Sequence, residues 1–217
     1  MTDAAALASK DPYALGHGER VAAGHGAGGP ASKRIVVGYG FWIFLLSDIV
    51  MFSALFATYA VLVDRTAGGP SGNDLFDLGS AAAETGFLLA SSFACGMASI
   101  AAGARSQLWF YAAMAATCVL GLGFLGIEIE EFARFIMAGA GPTRSAFLSA
   151  FFTLVGCHGL HVCGGTLWLL TMVAQVFAKG FRADIMRRFM CFALFWHALD
   201  IIWVGLFTIV YLMGVYG

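Results

Sequence analysis

Five long apolar stretches follow a polar leader, and short turn-rich segments separate them. They run over about 35–63, 79–102, 108–137, 144–178 and 189–216. Each reaches or exceeds the roughly 20 residues that a helix needs to cross a bilayer. Their apolarity is continuous rather than alternating, which selects membrane helices over the strands of a closed barrel. The pattern therefore predicts an all-α integral membrane bundle of five transmembrane helices, with residues 35–217 as one domain. Residues 1–34 read as a mobile cytoplasmic leader, rich in Ala and Gly and without the apolar core of a secretory signal. His17 and His25 lie in it and read as solvated tail residues.

Composition strengthens this reading. The 217 residues are 60% hydrophobic and 12% charged, too few charges for the surface of a soluble domain. A net charge of -1 and the lack of a basic patch leave no case for a nucleic-acid partner. The five cysteines (Cys95, Cys118, Cys157, Cys163, Cys191) all fall inside apolar stretches and form no CxxC pair. They read as small buried hydrophobes rather than a disulfide framework.

Charge at the span ends sets an expected orientation. With the N-terminus inside, the cytoplasmic ends carry Lys33, Arg34, Arg105, Lys179, Arg182, Arg187 and Arg188. The outer ends carry Arg65, Arg134 and Arg144. This bias predicts a cytoplasmic N-terminus and a periplasmic C-terminus.

Ionisable residues inside spans are costly and are functional candidates by default. Here they are Asp48, Glu84, Glu128, Glu130, Glu131, His158, His161, His197 and Asp200. At about 1.5 Å rise per residue, Asp48 lies roughly 20 Å from the inner start of the first span, and His158 roughly 20 Å from the outer start of the fourth. By the same rise, His197 and Asp200 lie roughly 12–17 Å into the fifth. The expectation is a mid-depth set of Asp48, His158, His161, His197 and Asp200, joined by interhelical hydrogen bonds. Glu84, Glu128 and Glu131 should form a separate layer nearer the outer face. Glu84, Glu130 and Glu131 also fit side chains that snorkel to the interface. Asp48 fits either a polar cavity or packing. Di-metal bundles use Glu-x-x-His pairs, and this chain has none. Phosphate loops and nucleophile elbows are likewise missing from any supporting context, so no catalytic residue, cofactor ligand or metal ligand is assigned.

Five segments carry a family resemblance: FWIFLLSDIVMFSALFATYAVL, AETGFLLASS, GIEIEEF, GPTRSAFLSAFFTLVGCHGLHV and MCFALFWHALDIIWVGLFTIVYLMG. Together they resemble subunit III of the haem–copper respiratory oxidases, most of all the form in cytochrome bo-type ubiquinol oxidases. By position, Asp48 matches a carboxylate that the cytochrome c oxidase form usually fills with Glu. Glu128 and Glu131-Phe132 look like the family's QxxEY pattern with Glu in place of Gln. Glu84 looks like the quinol-oxidase form of the second span, and His158, His161, His197 and Asp200 match as they stand.

The resemblance implies an accessory subunit in a bacterial cell inner membrane, without redox centres of its own. Haem and copper would reside in the catalytic subunit I. Subunits I, II and IV and bound phospholipid would be its partners in a proton-pumping quinol oxidase. Two alternatives stand beside it: subunit III of a bacterial cytochrome c oxidase, and, from another class, a small proton-coupled transporter. Co-purification with haem-bearing partners separates the oxidase readings from the transporter.

The orientation is testable. Cysteine labelling at Ser9 and Gly217 in intact cells should reach Gly217 from outside and Ser9 only after permeabilisation. Labelling of both from the same side would break the odd-span topology.

Overall fold

The computed structural model describes residues 33–216. Most of the expected leader, up to residue 32 and including His17 and His25, lies outside the described residues, as does Gly217. Seven α-helices and one π-helical stretch follow in order. They are α1 (Lys33–Leu62), α2 (Gly72–Leu75), α3 (Leu78–Gly103), α4 (Gln107–Met137), α5 (Ala146–Lys179) and α6 (Ala183–Leu206). The π-helical stretch Phe207–Leu212 and α7 (Met213–Tyr216) then complete the last span. Five stretches are long and apolar enough to cross a membrane: Ile35–Leu62, Leu78–Gly103, Gln107–Met137, Ala146–Lys179 and Ala183–Val215. The last span starts at Ala183, ahead of the expected 189, because the Arg-rich segment is already helical. Arg182 and Asp184 pair at its start, Nε to Oδ1 at 3.2 Å.

Local chemistry ends and starts these helices where the turns require it. Asp77 caps α3 by accepting from the Gly79 amide at 3.0 Å. Ser145 caps α5 by accepting from the Leu148 amide at 3.2 Å. Gly180 closes α5 with φ 70°, a conformation that costs glycine little.

The helices α5 and α6 are the spine. α1 packs on both from one side, while α3 and α4 form a hairpin that packs on them from the other, α3 on α6 and α4 on α5. Half of the most apolar window of α5 is buried, against 11% for α1, so α5 is central and α1 peripheral. One end of the bundle is plugged by Phe76, just beyond α2, whose ring lies 5.0 Å from Phe151 and 5.1 Å from Tyr211.

Lipid tails are as apolar as a helix surface, so close packing and hydrogen bonds must supply the cohesion between helices. The α3–α6 seam uses three hydrogen bonds. Trp196 Nε1 donates to Ser91 Oγ at 3.1 Å, and Trp203 Nε1 donates to Thr85 Oγ1 at 3.0 Å. Beside the first, Ser92 Oγ meets His197 Nδ1 at 2.6 Å. Each such bond is worth about 0.6–2 kcal/mol in a membrane. The Trp196 indole is also clamped between two glycines. A Cβ on Gly121 of α4 would stand 3.0 Å from Trp196 Cη2, and one on Gly165 of α5 would stand 3.0 Å from Cζ3.

Gly165→Leu should therefore push the indole off Ser91 and destabilise the bundle by about 1–3 kcal/mol. Gly164→Leu, at an exposed position with open space around it, should not. Thermal denaturation of the two variants in detergent checks the contrast.

Candidate functional site

The buried face of α4 recurs at alternating steps of four and three residues: Phe110, Met114, Thr117, Gly121, Phe124, Glu128, Glu131, Phe135. The same period on α3 places Glu84 between Ala81 and Leu88 on its buried side. That is the seam spacing of packed helices, and three carboxyls lie on it. Glu84 is fully buried, Glu131 is 1% exposed and Glu128 is 3% exposed. Glu84 and Glu131 thus turn into the protein rather than snorkel, and only Glu130, off the stripe, faces outward. The sequence carried the signal: the heptad-like rhythm points these glutamates inward, whatever their distance from the interface.

Each carboxyl has a distinct setting. Tyr211 donates its hydroxyl to Glu131 Oε2 at 2.8 Å. Arg134, half-exposed one turn along α4, stands 4.0 Å from Glu131 Oε1. Glu128 lies against the backbone of α5 at Gly159, where a Cβ would collide with both carboxyl oxygens. Glu84 has no hydrogen-bond partner on either oxygen, and neither do Glu128 Oε2 and Glu131 Oε1. Tyr211 is absent from the sequence-derived candidates. It reaches Glu131 from the π-helical stretch, whose wider turn changes which residues face inward and leaves no pattern in an apolar sequence.

His158 precedes Gly159 on α5, the residue against which Glu128 packs. Its ring is enclosed by Trp203 (5.3 Å), Phe124 (5.7 Å) and Phe52 (6.3 Å). Both ring nitrogens are buried without a partner. His161 bonds back to its own helix, Nδ1 to the Cys157 carbonyl oxygen at 2.7 Å, and packs on Phe52. Asp48 is half-buried on α1, which packs on α5. His197 and Asp200 share Ser92 of α3 on the outer side of the α3–α6 seam.

The expected mid-depth set therefore divides. His197 and Asp200 form one polar group with Ser92, His161 bonds back to its own helix, Asp48 lies half-buried on α1, and His158 sits in an aromatic box. Neither His158 nor His161 bonds Asp48 or α6. Glu128 reaches the backbone of α5 at Gly159, one residue along the chain from His158. Depth along the axis fixes height but not facing, and facing decides which polar groups meet.

Among the described residues, no three His, Cys, Asp or Glu side chains converge on a metal-sized site. A groove of about 600 Å³ lies between α4 and α5 and opens on the outer surface of the bundle. Leu125, Phe132, Phe152, Gly156 and Gly159 line it, and the Glu128 carboxyl stands in its wall.

Comparison with known proteins adds to this geometry. The family described as cytochrome c oxidase subunit III matches residues 24–215. Cytochrome bo(3) ubiquinol oxidase subunit 3 of Pseudomonas aeruginosa is 53% identical over 178 residues, 81% of this chain and 84% of that protein. The protein of the same name from Pseudomonas putida is 47% identical over 176 residues, 81% of this chain and 85% of that one. Cytochrome c oxidase subunit 3 of Bacillus sp. (strain PS3) is 43% identical over 182 residues, covering 82% and 86% of the two chains.

The Glu128–Gly159 contact makes a sharp test. Gly159→Ala should cost about 1–3 kcal/mol by displacing the carboxyl. In a Glu128→Ala background the same change should cost less, with a coupling above about 0.5 kcal/mol in a double-mutant cycle. Additive effects would mean that the two residues do not meet.

Proposed function

Because this chain belongs to the cytochrome c oxidase subunit III family, we propose that it is the accessory subunit III of a proton-pumping terminal quinol oxidase of the cytochrome bo type. It sits as a multi-pass protein in a bacterial inner membrane. The observation that carries the non-redox part of this reading is the fate of the histidines. His158 is walled in by three rings, His161 is bonded to its own helix, and His197 is bonded to Ser92. None is presented outward as a free pair able to clasp a haem iron or a copper ion. Those groups belong to the catalytic subunit I, and subunits II and IV complete the complex.

The work left to this chain is mechanical. Large apolar side chains cover its outer surface, among them Tyr39, Phe93, Trp109, Phe177 and Ile201. They suit a bundle that shields subunit I and holds phospholipid against it. The leader over residues 1–34 faces the cytoplasm and the C-terminus the periplasm. Asp48, Glu84, Glu128, Glu131, His158, His161, His197 and Asp200 act in polar packing and in lipid or subunit contact, not in the chemistry. The Bacillus relative named as a cytochrome c oxidase subunit supports a second reading, in which the complex takes electrons from cytochrome c. Family membership sets the transporter alternative aside.

The test follows activity against time for the intact, subunit-depleted and Asp48→Asn oxidases, with quinol and with cytochrome c as donors. Depletion should leave haem content and initial turnover near normal and shorten the active lifetime. Asp48→Asn should change less than depletion, because an amide keeps much of a carboxyl's hydrogen bonding. Immediate loss of turnover in Asp48→Asn, with haem and assembly intact, would place this subunit in the chemistry and refute the accessory role.

A further inference from the structure

Six buried polar atoms near the α3–α4–α5 junction have no hydrogen-bond partner: both oxygens of Glu84, Glu128 Oε2, Glu131 Oε1 and both nitrogens of His158. A buried polar atom left unpaired in a bilayer costs free energy, and native proteins satisfy such atoms with ordered water when side chains do not. One buried water makes about three hydrogen bonds, so six open positions match about two waters. The groups are close enough to interact: Glu84 senses both Glu131 and Glu128, and Tyr211 senses all three. His158 is fully buried on α5 one residue before Gly159, against which Glu128 packs.

Charge narrows the content further. The cation paired with this cluster is Arg134, half-exposed and 4.0 Å from Glu131. One carboxylate can be balanced there, aided by the Tyr211 hydroxyl. Two more anions enclosed beside it would repel through a weakly screening interior. Other titratable groups on the surrounding elements do not offset them. Asp48 and Tyr59 face inward from α1, Asp77 senses Glu131 from the start of α3, and His197 and Asp200 are engaged with Ser92. A route to the cluster exists on one side, because the Glu128 carboxyl stands in the wall of the α4–α5 groove.

We propose that Glu84, Glu128, Glu131 and His158 line a hydrated, proton-holding chamber inside the bundle, which exchanges water and protons with the α4–α5 groove through Glu128. Glu84 and Glu128 each carry a proton and donate it to the enclosed water. Glu131 holds the single negative charge. A proton that leaves Glu128 passes to water in the groove and is replaced from there, so the chamber's charge is unchanged over a cycle.

Infrared difference spectroscopy between H2O and D2O tests this on the assembled complex in nanodiscs. The expected result is two carbonyl-stretch bands of protonated carboxylic acids that shift promptly in D2O. One should disappear in Glu84→Gln and the other in Glu128→Gln. Gly156→Leu, which fills the groove beside Phe132, should keep both bands and slow the shift. Where a Gln variant fails to assemble, carbon-13-labelled glutamate in the unaltered complex gives the same readout by solid-state NMR, as two protonated carboxyl resonances with cross-peaks to water. Bands unchanged in both Gln variants would overturn the proposal. So would bands that exchange no faster than the core amides of α5, or carboxyl resonances that are all ionised. None of these readouts depends on which electron donor the complex uses.

Discussion

Four helices meet at the Trp196 indole. It is carried by α6, flanked by Gly121 of α4 and Gly165 of α5, and hydrogen-bonded to Ser91 of α3. In water the hydrophobic effect would drive these helices together, but in lipid that force between helices is gone. What remains is contact at close range, and close range requires backbones that can approach. The two glycines supply the approach and the indole fills it. Its ring nitrogen then finds a partner in the one direction where α3 presents a hydroxyl. Geometry elsewhere follows: with Trp196 seated, Trp203 two turns along reaches Thr85, and the buried stripes of α3 and α4 are turned to face α5.

That seating carries the carboxyls inward with the stripe. Glu84, Glu128 and Glu131 occupy positions that a soluble bundle would give to Leu, at the same period as Phe124 and Phe135. They are therefore properties of the packing as much as of the chemistry. A helix rotated far enough to bring Glu128 to lipid would also take Gly121 off the Trp196 ring. The polar centre and the apolar core are a single arrangement.

Much of this architecture was legible in the sequence. Continuous apolarity and length specified five spanning helices, the fourth beginning at Ala146 against an expected 144. Facing was harder to read. Rise per residue placed His158 and Asp48 at similar depths, yet depth says nothing about which side of a helix a group is on. His158 faces Trp203 and Phe124, while Asp48 is half-buried on α1. The four-and-three rhythm of α4 would have resolved the glutamates, because a stripe shared with Phe124 and Phe135 must be internal. Tyr211 was beyond such reading. Its inward direction depends on a π-helical turn, and backbone hydrogen-bond register is not encoded in hydropathy.

The π-helical stretch Phe207–Leu212 has an implication for how this chain can vary. A π turn holds one more residue than the α turn it replaces, so it behaves as a one-residue insertion absorbed without breaking the helix. Removing any one residue there would leave a span still apolar and still long enough to cross a bilayer. Because the wider turn already takes up the extra residue, the segment beyond would keep nearly the same facing as the helix returned to 3.6 residues per turn. Substitutions between apolar residues leave that register intact. Along this stretch, the residue count can thus change by one without turning the rest of the span.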